Sequence, residues 1–198
     1  MATVTDLKRQ KKNESRINVY LDGEFFVSAD EVALYRAGIK KDSEIDAQDL
    51  MDLLRADDSQ RAFDFALKYL SYRLRSKKEI FDYLLGKGFD DETIDGVMGK
   101  LEHYGYVNDE AFAKMFFASQ KGRYGVKKIK YNMRQFGLDD RIIDDVCGGD
   151  DMESLKKIAD KYRNSHKTCD NKKLATYLLG KGFEWDSVKS VINDEFYN

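Results

Sequence analysis

The octapeptide YLLGKGFD at residues 83–90 returns as YLLGKGFE at 177–184. Gly-Lys-Gly has the ingredients of a phosphate cradle, in which glycine backbone approaches oxygens and lysine supplies charge. The spacing withholds that chemistry. A P-loop needs a strand before it and a Ser or Thr after its lysine to hold a metal ion; here Gly88 and Phe89 follow Lys87. A zinc site fares no better. Of Cys147, Cys169, His103 and His166, only His166 and Cys169 stand close in sequence, and a structural site takes four ligands, commonly as two close pairs. No Gly-x-Ser-x-Gly nucleophile occurs. His103 falls near a helix C-terminus, where it can meet the terminal carbonyls, and His166 falls in a polar loop. Acid pairs sit mostly at helix starts, where the helix dipole accounts for them. The expectation is a non-enzymatic protein with no cofactor and no metal.

Charge is the remaining chemical signal. The chain has 34 Lys and Arg against 36 Asp and Glu, a net charge of −2, but the signs are segregated. Residues 114–134 hold Lys114, Lys121, Arg123, Lys127, Lys128, Lys130 and Arg134 and no acid, whereas 139–151 carry six aspartates and one arginine. Tyr124 and Tyr131 interleave the basic run, and Gly122 and Gly125 allow close backbone approach. Such a run suits phosphate contacts with base stacking; the alternative is a solvated helix face. A smaller cluster of Arg73, Arg75 and Lys77, with Lys78, lies in the corresponding loop of an earlier repeat. The candidate binding residues are therefore Arg73, Arg75, Lys77, Lys114, Lys121, Arg123, Tyr124, Lys127, Lys128, Lys130 and Arg134.

Repeats must position these residues. SKKEIFDYLLGKG opens with Ser76 and Glu79, a capping box, runs as a helix to about Lys87, and stops where Gly88 can turn left-handed and Phe89 can fold back. Asp90 or Asp91 then starts a helix with a stripe of Ile94, Val97, Met98 and Leu101. The same pattern fits around Gly137 and Gly182. Ile80, Ile129 and Leu174 correspond; so do Leu84, Met133 and Leu178; Phe89, Leu138 and Phe183; Ile94, Ile143 and Val188; and Val97, Val146 and Val191. Cys147 takes the slot of Met98 and Ile192 and reads as a small core hydrophobe. Three copies of one three-helix unit follow, with helices at about 58–73, 76–87 and 90–104; 109–121, 125–136 and 139–147; and 150–163, 170–181 and 184–196. The fold class is mainly α, tandem three-helix repeats in an elongated curved body, preceded by a small β-hairpin plus helix.

The expected organisation is a flexible basic tail at 1–14 and an N-terminal hairpin with short helices at 15–57. Repeats at 58–107, 108–149 and 150–198 follow. Asp22-Gly23 between two β-rich runs marks the hairpin. A helix at 29–37 has a capping box of Ser28 and Glu31 and a terminal Gly38, and another helix spans 46–56. Residues 40–58 contain seven acids and three bases. The absence of proline suits a helical chain. No apolar run reaches the roughly 18 residues that span a bilayer, and the N-terminus lacks the apolar core of a signal peptide, so the expected setting is the cytoplasm.

One family matches these features. YRLRSKKEIFDYLLGKGFDDETIDGVMGKLEHYGYVNDEAFAKMFF resembles the core of the RecX regulatory proteins. The R-x-R-S-x-x-E-[LI] stretch is carried by Arg73, Arg75, Ser76, Glu79 and Ile80. The segment that enters the second repeat is carried by Gly105, Tyr106, Val107, Asn108, Asp109, Phe112 and Ala113. The resemblance covers roughly 58–198, and the hairpin resembles the extension of longer members. It implies tandem three-helix repeats and a cytosolic, non-enzymatic modulator of the RecA recombinase. Such a modulator is usually an inhibitor of the RecA filament, with weak non-specific capacity for single- or double-stranded DNA. The partners implied are the RecA filament and DNA, with no membrane, and the chain would act as a monomer. The acidic 40–58 and 139–151 stretches fit a ligand of a protein-coated filament better than one of bare DNA. Two other classes compete. A sequence-specific DNA regulator needs a base-reading helix, against which Asp95, Asp144 and Asp145 argue. A protein scaffold without nucleic acid predicts little salt dependence of any DNA association.

Overall fold

The computed structural model describes residues 1–11, 15–166 and 170–193. They form two compact units, residues 1–68 with 84–100 and residues 69–83 with 101–198.

The N-terminal unit begins with a four-stranded antiparallel sheet in the order β3-β2-β1-β4. Its strands are β1 (Ala2–Arg9), β2 (Arg16–Leu21), β3 (Glu24–Asp30) and β4 (Glu44–Ile45). The expected hairpin is present: Asp22 and Gly23 both have positive φ, 49° and 92°, as a type I′ turn requires. The expected basic tail is not. Residues 4–9 pair with β2, Ala2 and Thr3 pair with β4, and Val4 is fully buried. Thr3, Val4 and Thr5 are β-branched, which favours a strand, and β1 holds the hairpin turn directly: Thr3 N–H donates to Asp22 Oδ1 at 2.9 Å and Gly23 N–H to Thr5 Oγ1 at 2.9 Å. Lys8 and Arg9 pair with Asp6 and Glu31. Charge had masked the strand pattern.

Two more expectations change. The short helix α1 (Glu31–Arg36) is capped by Asp30, whose carboxylate accepts from Val32 N–H, because Ser28 lies in β3 opposite Asn18. The expected helices at 46–56 and 58–73 are one helix, α2 (Ala47–Leu70). Nothing in Arg55–Gln60 breaks it, since the span lacks glycine and proline. Its acids are also engaged, Asp57 with Arg36 at 3.2 Å and Asp58 with Arg61 at 3.3 Å.

The rest is helical: α3 (Lys77–Gly86), α4 (Asp91–His103), α5 (Asp109–Gln120), α6 (Val126–Gln135), α7 (Asp140–Val146), α8 (Met152–Ser165), α9 (Asn171–Gly180) and α10 (Trp185–Asn193). The three glycine stops are one motif. Gly88, Gly137 and Gly182 have φ of 89°, 77° and 88°. After each, the next residue reaches back: Phe89 N–H to Leu84 C=O at 3.4 Å, Leu138 to Met133 at 3.3 Å and Phe183 to Leu178 at 3.3 Å. The glycine N–H itself bonds the carbonyl three residues earlier at 2.9 Å each time. That pair of bonds satisfies helix-end carbonyls and directs the apolar residue back onto the helix. The aligned apolar slots are buried, except Val146, which is half-buried beside buried Cys147, and Ile192, which is half-buried against the third repeat's core.

The repeats join through these stops. The turn at Gly182 sits on the N-terminus of α6. Gly125 N–H donates to Lys181 C=O and Lys127 N–H to Gly182 C=O, both at 3.1 Å. Asp150 clasps the joint, accepting from Val126 N–H at 2.8 Å and Glu184 N–H at 2.6 Å. The turn at Gly137 sits likewise on the N-terminus of α3. Ser76 Oγ–H donates to Phe136 C=O at 2.7 Å, and Asp109 accepts from Lys77 N–H at 2.9 Å.

Gly125 is in extended backbone, φ −74° and ψ 162°, which any residue adopts; glycine is needed there for space, because a Cβ would fall on the backbone of Gly182 and Phe183. Gly88 has the opposite problem, positive φ with nothing within 4 Å of a Cβ. Gly88→Ala should therefore cost about 1 kcal/mol, the left-handed penalty alone. Gly125→Ala should cost about 3 kcal/mol, the upper range for overpacking, because backbone cannot step aside. Urea unfolding of the two variants checks the order; equal losses would show that the joint carries no stability.

Candidate functional site

The basic run 114–134 occupies the second half of α5, the turn 121–125 and α6. Val126, Ile129 and Met133 bury one face of α6, which leaves Lys127, Lys128, Tyr131 and Arg134 exposed. The following acids do not stay apart from it. Lys130 Nζ lies 2.6 Å from Asp144 Oδ1, and Arg134 Nε lies 2.7 Å from Asp140 Oδ1. Helix α7 thus returns two carboxylates to α6, and the Lys130 contact holds the Asp144 carboxyl below its usual range. Sequence spacing along α6 alone could not show this pairing. Lys114, Lys121, Arg123, Lys127 and Lys128 are exposed and hold no ion pair among the described residues.

The earlier cluster is differently employed. Arg73 and Arg75 both reach Glu79 Oε1, at 2.5 and 3.3 Å. Arg75 also lies 3.9 Å from the centre of the Tyr69 ring, which stacks on Tyr83 at 4.1 Å. Lys77 pairs with Glu102 at 2.8 Å. These three predicted cations are engaged by partners within their own repeat.

A cleft brings new residues to the run. Arg123 and Tyr124, from the turn before α6, face Lys157 and Lys161 of α8 and Tyr177 and Lys181 of α9 and its cap across about 380 Å³. Lys181 Nζ lies 5.3 Å from the Tyr124 ring centre and 5.5 Å from that of Tyr177, cation–π distances. The sequence reading missed Lys157, Lys161, Tyr177 and Lys181. Lys157 and Lys161 have i, i+4 spacing on one helical face, but acids around them made the stretch look neutral. Lys181 was read only as part of a turn, which it also is.

Buried Cys147 lies 3.6 Å from Met133 Sδ, and burial pushes its thiol up, so it packs as a core residue. No group of three or more His, Cys, Asp or Glu among the described residues could hold a metal ion; Cys169 lies outside those residues. No described helix is long and apolar enough to cross a membrane.

Comparison with known proteins decides the family. The RecX N-terminal domain matches residues 2–46, the first RecX three-helix domain 62–101 and the second 108–146. The regulatory protein RecX of Clostridium tetani is 31% identical over 98% of this chain and 95% of its own. That of Clostridium botulinum strain Alaska E43 is 31% identical over the whole of both. A crystal structure of regulatory protein RecX superposes with a TM-score of 0.66 at 26% identity, covering 98% of this chain and all of that one. RecX from Lactobacillus salivarius gives 0.64 at 28% identity, over 70% of this chain and 97% of that one. The chain belongs to the RecX family.

The RecX motif R-x-R-S-x-x-E has a physical reading here. Glu79 Oε2 accepts from Ser76 N–H and Ser76 Oγ accepts from Glu79 N–H, both at 3.2 Å, a reciprocal capping box. The two motif arginines clamp the same carboxylate. Burial pushes the Glu79 carboxyl up, but the hydrogen bonds from Arg73, Ser76 and Arg75 outweigh it and hold the group below 4.5. A lowered folded pKa gives stability that is present above the unfolded value and lost as pH falls through the folded one. Wild type should therefore melt higher than Glu79→Gln at pH 7, and the gap should close as pH falls below about 4. Thermal melts across that range check it; a gap that does not narrow as pH falls below about 4 would refute the ionic origin.

Proposed function

We propose that this chain is a cytoplasmic, monomeric modulator of RecA, which binds the RecA–DNA filament and suppresses its ATPase and recombinase activity. RecX-family membership supports the RecA partner, through the relation that the family resemblance implies. The observation that carries the contact surface is the set of cations on the second repeat without ion pairs among the described residues: Lys114, Lys121, Arg123, Lys127 and Lys128. Charge left unpaired beside half-buried Tyr124 suits a phosphate backbone, whereas paired Arg73, Arg75, Lys77, Lys130 and Arg134 would first have to give up internal partners. The contacts are to backbone, so they carry no base preference.

The experiment is the single-strand-DNA-stimulated ATPase rate of RecA, titrated with this protein at fixed salt. The wild type should suppress it at amounts below one per RecA. Lys127→Glu with Lys128→Glu should keep the melting temperature and weaken suppression by about tenfold or more, since each reversal replaces an attraction to phosphate with a repulsion. Suppression by the double variant equal to wild type would remove α6 from the contact. No suppression by wild type even in excess would remove RecA.

A further inference from the structure

The cleft bounded by Arg123, Lys157, Lys161 and Lys181 does more than extend the basic run. No acid lines it. Neighbouring clefts are mixed: one beside α9 sets Asp170 with Lys172 and Lys173, and one at the start of α5 sets Glu102, Asp109, Glu110 and Asp139 with Lys77. Random charge on a near-neutral chain produces mixed clefts, and four cations without an acid is a departure from that. Their nearest competitor is Glu153, 2.6 Å from Lys157. Both side chains of that pair are exposed, so the bond is weak and readily exchanged.

The cations converge from three places, the turn before α6, one face of α8 and the cap of α9, onto a concavity of about 380 Å³. That is the size range of a small-molecule site and too small to admit a duplex. Phosphate oxygens are strong acceptors that several lysines and an arginine can share. Tyr124 and Tyr177 are half-buried and carry Lys181 between them; a base that displaced the ammonium would find two aromatic surfaces.

We propose that this cleft is an oligophosphate site: it takes two or more adjacent phosphate groups on Arg123, Lys157, Lys161 and Lys181, with an attached base against Tyr124 or Tyr177. The chemistry is shared by a phosphodiester strand and by a nucleoside polyphosphate. The site stands on the cleft alone and does not require RecA.

The test uses the full chain without RecA. Fluorescence anisotropy of a labelled oligo-dT reports binding, with unlabelled ATP and inorganic tripolyphosphate as competitors. The oligomer should bind with a log–log salt slope of about −2 to −3, from three or four neutralised phosphates on a single strand. Arg123→Glu with Lys161→Glu should weaken it by about tenfold or more, while Lys100→Glu, at a residue that does not line the cleft, should not. Both cleft side chains are exposed and unpaired, so equal melting temperatures should accompany the loss; Arg123→Ala repeats the test without charge reversal. Competition by tripolyphosphate and ATP assigns the site to compact polyphosphates. Oligomer binding that neither displaces assigns it to a strand. Binding of none of the three probes, or equal binding by the double variant and the wild type, overturns the proposal.

Discussion

A left-handed glycine turn seated on the start of a helix is the constraint on which the second and third repeats depend. Each partner leaves backbone groups without intrahelical partners, carbonyls at the turn and N–H groups at the helix start. At Gly182 and Gly125 the two sets meet: two N–H groups of residues 125 and 127 take the carbonyls of 181 and 182. Asp150 then takes an N–H from each side. The geometry demands close approach, which excludes a Cβ at Gly125. It also excludes one at Gly182, which would come within 2.6 Å of the Lys128 nitrogen. The Gly137 turn obeys the same limit against Lys78, whose Cβ would lie 2.7 Å away. Glycine is therefore required at these turns twice over, for φ and for space, whereas Gly88 is required for φ alone.

That joint also builds the proposed binding surface. Seating the Gly182 turn on α6 places Lys181 beside Tyr124, so the cap of the third repeat and the entry turn of the second share one cleft. The slot before the cap glycine shows how one unit is tuned. In the second repeat it holds Phe136, whose ring lies 5.3 Å from Phe112 and 5.2 Å from Phe116. In the third it holds Lys181, set against tyrosine rings. One slot closes a core with carbon; its equivalent presents charge at a concave surface. The repeat supplies the backbone, and the residue in the slot decides whether the place is core or site.

The sequence made the repeats legible because their signal is local. Glycine stops, capping acids and an apolar stripe lie within a few turns of helix, and all three stops have the bonds expected of them. It was poor wherever a distant partner decides. Residues 1–9 look like a charged tail until Val4 meets the sheet. The break expected near residue 57 is absent, where Arg36 and Arg61 take Asp57 and Asp58 of α2. Of the eleven candidate cleft and surface residues, Lys130 and Arg134 meet their carboxylates only when α7 folds back, and Arg73 and Arg75 meet Glu79 through a turn. The missed residues Lys157, Lys161, Tyr177 and Lys181 come from a repeat whose local composition is balanced, so only folding separates their charge from its acids.

The pairing pattern bears on how a nearly neutral protein can address a polyanion. Net charge governs long-range approach, and at −2 it offers no attraction. At physiological salt, however, exposed charges are screened beyond about 8 Å, so a ligand at the surface responds to the charges within that reach. Here Asp144 and Asp140 of α7 are spent on Lys130 and Arg134, and Glu79 is spent on Arg73 and Arg75. The local field is set by what remains, the cations of the α5–α6 turn and of the cleft, where exposed Glu153 competes weakly for Lys157. Internal ion pairs thus act as a filter: they engage the acids that fold back on α6 and α3 and leave a small basic patch beside them. Such a surface gains little from bare duplex at a distance and much from a phosphate backbone already brought close by another contact.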